Sequence, residues 1–180
     1  HLLEIMAMIY LFGLVVLGIR SGRDWWQIRR LRQTASTPTE DLAATYAQLK
    51  TQMPTLSDYP LRISSRVNSA LTVGIFRPFI LLPIGLINAW SPAEVEAILL
   101  HEMAHLFRKD HLWNALQTLI TQIFFYHPMV HWLRIQLDRE REYACDDLVT
   151  GQINRELYAQ SLLKVARLSI THKNQFIMQA

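Results

Sequence analysis

The chain has 180 residues, enough for one domain with a core of its own and little more. Hydrophobic residues make up 51% and charged residues 18% of it, short of the roughly 25% charged in an average soluble domain, and that shortfall directs the search to a membrane span. The net charge of +3 gathers in one arginine collar rather than on a nucleic-acid face, and the single cysteine, Cys145, excludes an internal disulfide and fits a reducing compartment.

Residues 2–19 (LLEIMAMIYLFGLVVLGI) carry one charge, Glu4, and at about 1.5 Å per residue they cover most of a ~30 Å hydrocarbon core. The apolar run opens at His1, so a fragment of a longer protein is expected, with the transmembrane helix beginning upstream. With no start Met and no small-residue cleavage site, a signal peptide is the weaker reading. Arg20, Arg23, Arg29, Arg30 and Arg32 follow at once, with Trp25 and Trp26 at headgroup level. Arginines clustered after a span mark the cytoplasmic side, and anionic membrane lipid, not nucleic acid, is the partner they predict.

Residues 34–58 read as a linker with a short helix, capped by Thr39, apolar at Leu42, Ala43, Tyr46 and Leu49, and ended by Pro54. Three short β-type runs follow (LRISSRV, ALTVGIF and FILLP), a small sheet that cannot stand alone. Ser91-Pro92-Ala93-Glu94 is a helix start with a capping box and proline in the first turn. That helix runs through AEVEAILLHEMAHLFRK. A largely apolar helix is predicted over about 111–126 and, after Pro128, another to about 149 with Gly151 as its stop. A last helix spans RELYAQSLLKVARLSI. The division is a transmembrane helix at 1–19, a basic juxtamembrane segment and linker helix at 20–58, and a catalytic domain at 59–180.

HEMAH is His-Glu-x-x-His inside this capped helix. Residues four apart share a helical face, so His101 and His105 can bring two imidazoles to one zinc ion, while Glu102 reaches toward the ion's open side as general base. Two histidines and a glutamate in a helix otherwise made of Ala97, Ile98, Leu100, Met103 and Ala104 are costly to bury unless a metal takes them up.

A third ligand is needed, and three candidates compete. His111 has the six-residue offset of HExxHxxGxxH, but Arg108 stands where that pattern turns on glycine, and a continuing helix carries His111 off the ligand face. His127 and His131, flanking Pro128, read as boundary histidines. Glu142 and Asp146, again four apart, present two carboxylates on one face; one can ligate zinc while the other orients a ligand histidine. Glu140 and Arg141 are read as a solvated charged face, and Cys145 as a small packing residue. Tyr143, Tyr126, His127 and His131 are unranked candidates for a transition-state hydrogen bond.

RPFILLP, the capped helix into HEMAHLFRKDH, FFYHPMVHWL and DREREYACDDLV together resemble the zinc peptidase domain of BlaR/MecR-type membrane antirepressor peptidases, over roughly residues 60–170. More distantly, Arg139, Glu142 and Asp146 are similar to a pattern of HtpX-type and CAAX-prenyl membrane proteases. The resemblance implies an α+β, mostly helical zincin-like (gluzincin) domain with a small sheet, preceded by a transmembrane helix. Carried onto these residues, it makes His101, His105 and Glu142 the Zn2+ ligands and Glu102 the base, with Asp146 and Arg139 behind them. Substrate would lie extended along an edge strand at Ser69, Ala70, Leu71, Thr72, Val73 and Gly74.

The function expected is a membrane-anchored zinc metalloendopeptidase of the bacterial inner membrane, its catalytic domain facing the cytoplasm. The substrate would be a cytosolic protein, such as a repressor, or the enzyme itself. A small-molecule sensor module is not expected within these residues, for want of a Ser-x-x-Lys of the penicillin-binding kind. The rival readings are an HtpX-like quality-control protease and a non-catalytic, zinc-stabilised membrane signalling module.

Overall fold

The computed structural model describes residues 1–52 and 59–165. Helix α1 (Leu2–Thr34) carries the apolar run and the arginine collar as one helix of 33 residues, about 50 Å long. None of its residues is buried. By length and composition it is the one described helix able to cross a membrane, with a mean hydropathy of 2.4 over its best 18-residue window. Arg29 and Arg30 fold back over the rings of Trp25 and Trp26, 5.6 and 4.6 Å from their centroids.

Helix α2 (Glu40–Gln52) turns Leu42, Tyr46 and Leu49 inward at helical spacing. This places the predicted linker helix in the main core rather than outside it. Pro54, its expected stop, lies outside the described residues.

The three β-type runs form one sheet: β1 (Leu61–Ser64), β2 (Leu71–Val73) and β3 (Phe79–Pro83), in the order β1-β3-β2. β3 runs parallel to β1 and antiparallel to β2. All five residues of β3 are buried because both faces of the sheet are covered. Ile80 and Leu82 face α2 and the central helix. Phe79 and Leu81 face the last turns of α1 through Ile28 and Leu31. The outer edge of β1 is closed by Ser36, which exchanges hydrogen bonds with Ile63 at 2.8 and 3.0 Å. β2 has no strand on its other side among the described residues. Gly74, at φ +104°, turns the chain out of β2 where a side chain would strike the Arg77 carbonyl.

A short helix α3 (Ile84–Ala89), unforeseen in the sequence, leads to α4 (Pro92–Phe107). The predicted capping box is in place: Ser91 Oγ accepts from Glu94 N, and Glu94 Oε2 accepts from Ser91 N at 2.8 Å. Helix α5 (Asp110–Ile123) and helix α6 (Pro128–Thr150) form a hairpin, and α7, described over 155–165, closes the core with Tyr158. The architecture is α+β and mostly helical, with a small sheet and an apolar N-terminal helix.

Leu82 is fully buried between the sheet and α4. Leu82→Ala is expected to cost about 2–5 kcal/mol, and Ser91→Ala only about 1 kcal/mol, which a paired thermal-denaturation series resolves.

Candidate metal centre

Helix α4 is packed almost all round, with Ala97, Leu99, Met103 and Ala104 at or near zero exposure. His101 and His105 interrupt this apolar surface on one face, their side chains 13% and 18% exposed. Their Nε2 atoms converge to 3.2 Å. Two nitrogens bound to one tetrahedral zinc at 2.0–2.1 Å stand about 3.4 Å apart, so the spacing fits a shared ion. Glu142, one turn before Cys145 and Asp146 on α6, closes the third side. Its carboxylate oxygens lie 3.5 Å from His101 Nε2 and 3.7 Å from His105 Nε2. The three ligating atoms all lie within 4.8 Å of one another.

The other ring nitrogens are tied down, as metal-binding imidazoles require. His105 Nδ1 bonds Asp110 Oδ2 at 2.9 Å. Tyr158 OH donates to Asp146 Oδ1 at 2.5 Å, so His101 Nδ1–H donates to the phenol oxygen, 2.7 Å away. Burial and the Asp146 carboxylate push the Tyr158 hydroxyl far up, holding it as a donor. With both Nδ1 atoms held from outside, the two Nε2 atoms and the Glu142 oxygens are left to one another around a point that a proton or a metal ion can occupy. That arrangement suits a cation, and the residues present fit zinc.

The local field agrees. Burial opposes charge on His105, but its hydrogen bond to Asp110, the Cys145 thiol and the charge of Glu102 outweigh it and push its pKa up to about 10. The bond to His101 holds the Glu142 carboxyl below its ordinary value against partial burial. Burial raises Glu102, the effect only partly offset by His105, His101 and Thr72.

Glu102 is 7% exposed, and Thr72 Oγ1 on β2 donates to its Oε2 at 2.9 Å. A cleft of about 300 Å³ joins Ala70, Leu71 and Thr72 to Glu102, His105 and Glu142. Ser69, Val73 and Gly74 do not line it. Asp146 reaches His101 both directly, at 3.5 Å, and through Tyr158. Arg139 points to solvent and has no hydrogen bond or ion pair among the described residues.

Several sequence readings are corrected here. The helix ends near Lys109 and a second one follows, as the sequence reading has it, but the break is made without glycine: Lys109 adopts the left-handed conformation, φ 59° and ψ 34°, and α5 begins at Asp110. His111 lands in the cleft wall against Tyr59, its Nδ1 buried and unpaired, and outside the ligand cluster. The turn instead delivers Asp110 to His105, a residue the sequence reading passed over. Arg141 is not on a solvated face: its guanidinium bonds Gln117 Oε1 at 2.7 Å, Asp138 and the Asp110 carbonyl. Cys145 packs as expected, but its Sγ also lies 3.2 Å from His105 Nδ1. Tyr126, His127 and His131 sit at the far end of the α5–α6 hairpin, about 20 Å along α6 from Glu142. A literal Ser-x-x-Lys does occur, at Ser161 and Lys164. Ser161 is fully buried and bonded to the Leu157 carbonyl, and Lys164 is spent on Glu94, so the pair is no nucleophile.

A capped helix offering two histidines and an inward glutamate, crossed by a second helix offering a carboxylate as third ligand, defines the class of helix-borne metal centres found in metallopeptidases. The chain belongs to the BlaR1 peptidase M56 family, which it matches over residues 1–180. It is 26% identical over 164 residues to the methicillin resistance mecR1 protein of Staphylococcus aureus, covering 86% of this chain and 28% of that protein. It is 34% identical over 104 residues to regulatory protein BlaR1 of Bacillus licheniformis, covering 56% of this chain and 17% of that one. The chain thus spans less than a third of the length of these curated relatives.

Asp110→Asn is expected to weaken zinc binding about 10- to 100-fold, as removal of an imidazole's supporting carboxylate does elsewhere, in a chelator-competition titration. Arg139→Ala in the same titration is expected to leave the affinity unchanged.

Proposed function

We propose that the chain is the catalytic part of a membrane-anchored zinc metalloendopeptidase. The observation that carries this reading is the buried, Thr72-bonded Glu102 beside a converging His101, His105 and Glu142. A purely structural metal site has no use for a general base held at its open side. Zinc bound by those three side chains would act as a Lewis acid toward a peptide carbonyl and lower the pKa of water there.

The remaining work falls to the chain's own groups. Glu102 takes the proton of the attacking water as oxygen bonds to the carbonyl carbon. It returns that proton to the amide nitrogen as the C–N bond breaks, so water is divided between the new carboxyl and the new amine. Burial suits it to both roles, because a raised pKa brings the carboxyl nearer to working pH. Thr72 aims the carboxylate from the edge strand. A peptide pairing with the open side of β2, along 69–74, would pass its backbone over the cleft between Thr72 and Glu142.

The rest of the reading concerns place and partner. Helix α1 crosses the bacterial inner membrane, and its arginine collar sets the catalytic domain on the cytoplasmic face. The substrate is a cytosolic protein or the enzyme itself. The relatives called regulatory protein and methicillin resistance protein favour cleavage in signalling over general quality control.

Glu102→Gln is the decisive variant. It is expected to keep one zinc per chain and to lose about 10²–10⁴-fold in kcat/KM, the usual share of a general base. Zinc content by atomic absorption and cleavage of co-reconstituted cytosolic protein are the measurements; wild-type activity in the variant would sink the reading. Thr72→Val is expected to lower kcat several-fold, by about 1 kcal/mol of one hydrogen bond, with zinc content unchanged.

A further inference from the structure

The α5–α6 hairpin is built unlike a water-facing surface. Residues 111–133 contain no Asp, Glu, Lys or Arg. Yet the hairpin's apolar side chains are not buried: Leu119, Phe124, Tyr126, Met129 and Trp132 are between 44% and 63% exposed. A face of this extent on a soluble domain marks a surface with a partner. Two of its polar side chains turn back onto protein. Thr121 Oγ1 donates to the Gln117 carbonyl at 2.7 Å, and Gln117 Nε2 donates to the Arg134 carbonyl at 3.0 Å.

The hairpin tip also rests on α1 within its apolar run. The Phe125 ring stacks on Tyr10, centroids 5.8 Å apart, and lies so close over Gly13 that a Cβ there would force the ring to shift. Counting from Arg20, Gly13 and Tyr10 are on the order of 10 and 15 Å deeper along the helix. Gln122 meets Ser21 at the upper edge. Whatever medium surrounds the first half of α1 therefore also surrounds the tip.

Three successive carbonyls of the turn are already partnered. The Ile123 carbonyl accepts from Tyr10 OH at 3.1 Å, the Phe124 carbonyl from His127 N at 2.9 Å, and the Phe125 carbonyl from His131 Nε2 at 2.8 Å. A turn in water needs no such partners, since solvent supplies them. A turn in hydrocarbon needs every one.

We propose that the distal half of the α5–α6 hairpin is a re-entrant membrane element, inserted beside α1 into the leaflet on the side of the arginine collar, with lipid acyl chains as its partner. This rests on the reading of α1 as a span. Its consequence is that the catalytic domain is held at two points, by α1 and by the hairpin whose other end carries Asp110 and Glu142.

The test uses the full-length wild-type protein in phosphatidylethanolamine–phosphatidylglycerol vesicles, photolabelled from within the bilayer by a lipid-soluble carbene precursor and mapped by peptide mass spectrometry. The expected result is labelling of 116–133 comparable to that of 2–19, and about tenfold above that of strands β1–β3, which touch no acyl chain. Labelling of 2–19 without 116–133 would overturn the inference while leaving the span intact, and would mean that protein covers the hairpin. Absence of label from 2–19 would remove the span itself and the inference with it.

Discussion

Helix α4 is packed by apolar neighbours along nearly its whole length, yet its middle turn carries His101, Glu102 and His105. Each polar atom there must meet a partner, because an unmatched one inside a core costs a few kcal/mol. The surrounding elements are arranged by that demand. β2 supplies Thr72 to Glu102, the start of α5 supplies Asp110 to His105, and α7 supplies Tyr158 to His101. Helix α6 contributes Glu142 between the two rings and Asp146 behind the phenol. Each of these four elements is thus tied to α4 by at least one polar contact as well as by packing.

The same economy links the site to the apolar helix α1. The last turns of α1 cover one face of the sheet, and α4 covers the other. β3 lies between them, buried on both sides. Rotation of α1 about its axis would therefore disturb the sheet as well as the hairpin tip, and β2, whose Thr72 holds Glu102, is hydrogen-bonded to β3.

What could be read from the sequence was local. The capping box at Ser91 and the four-residue spacing of His101 and His105 involve neighbours on one helix, so pattern alone places them. The three strands announce themselves by β-branched and aromatic texture, and Glu142 with Asp146 by another four-residue interval. Features that depend on a change of direction were hidden. Lys109 in the left-handed region is a conformation that non-glycine residues adopt at a cost of about 1–2 kcal/mol, and no residue type signals it here. Asp110 was hidden behind that turn. Tyr158 lies 57 residues from His101, on a helix whose docking no periodicity reveals. Arg141 belongs to a charged run that reads as solvated, and only the approach of α5 gives its guanidinium something to hold. Helix α3, with six residues, is too short to show a period.

The free edge of β2 is three residues long. Pairing of a guest strand with so short an edge yields only a few main-chain hydrogen bonds, and main-chain bonds are blind to side-chain identity. A substrate groove proposed there would grip many extended peptides weakly and none of them tightly. Discrimination between one protein and another must then come from how often a given chain is presented. A site confined to a surface, facing chains confined to the same surface or tethered to the same molecule, meets them at an effective concentration far above that in bulk solution. On the proposed pairing, shortness of the strand would convert the choice of substrate from a question of fit into one of address.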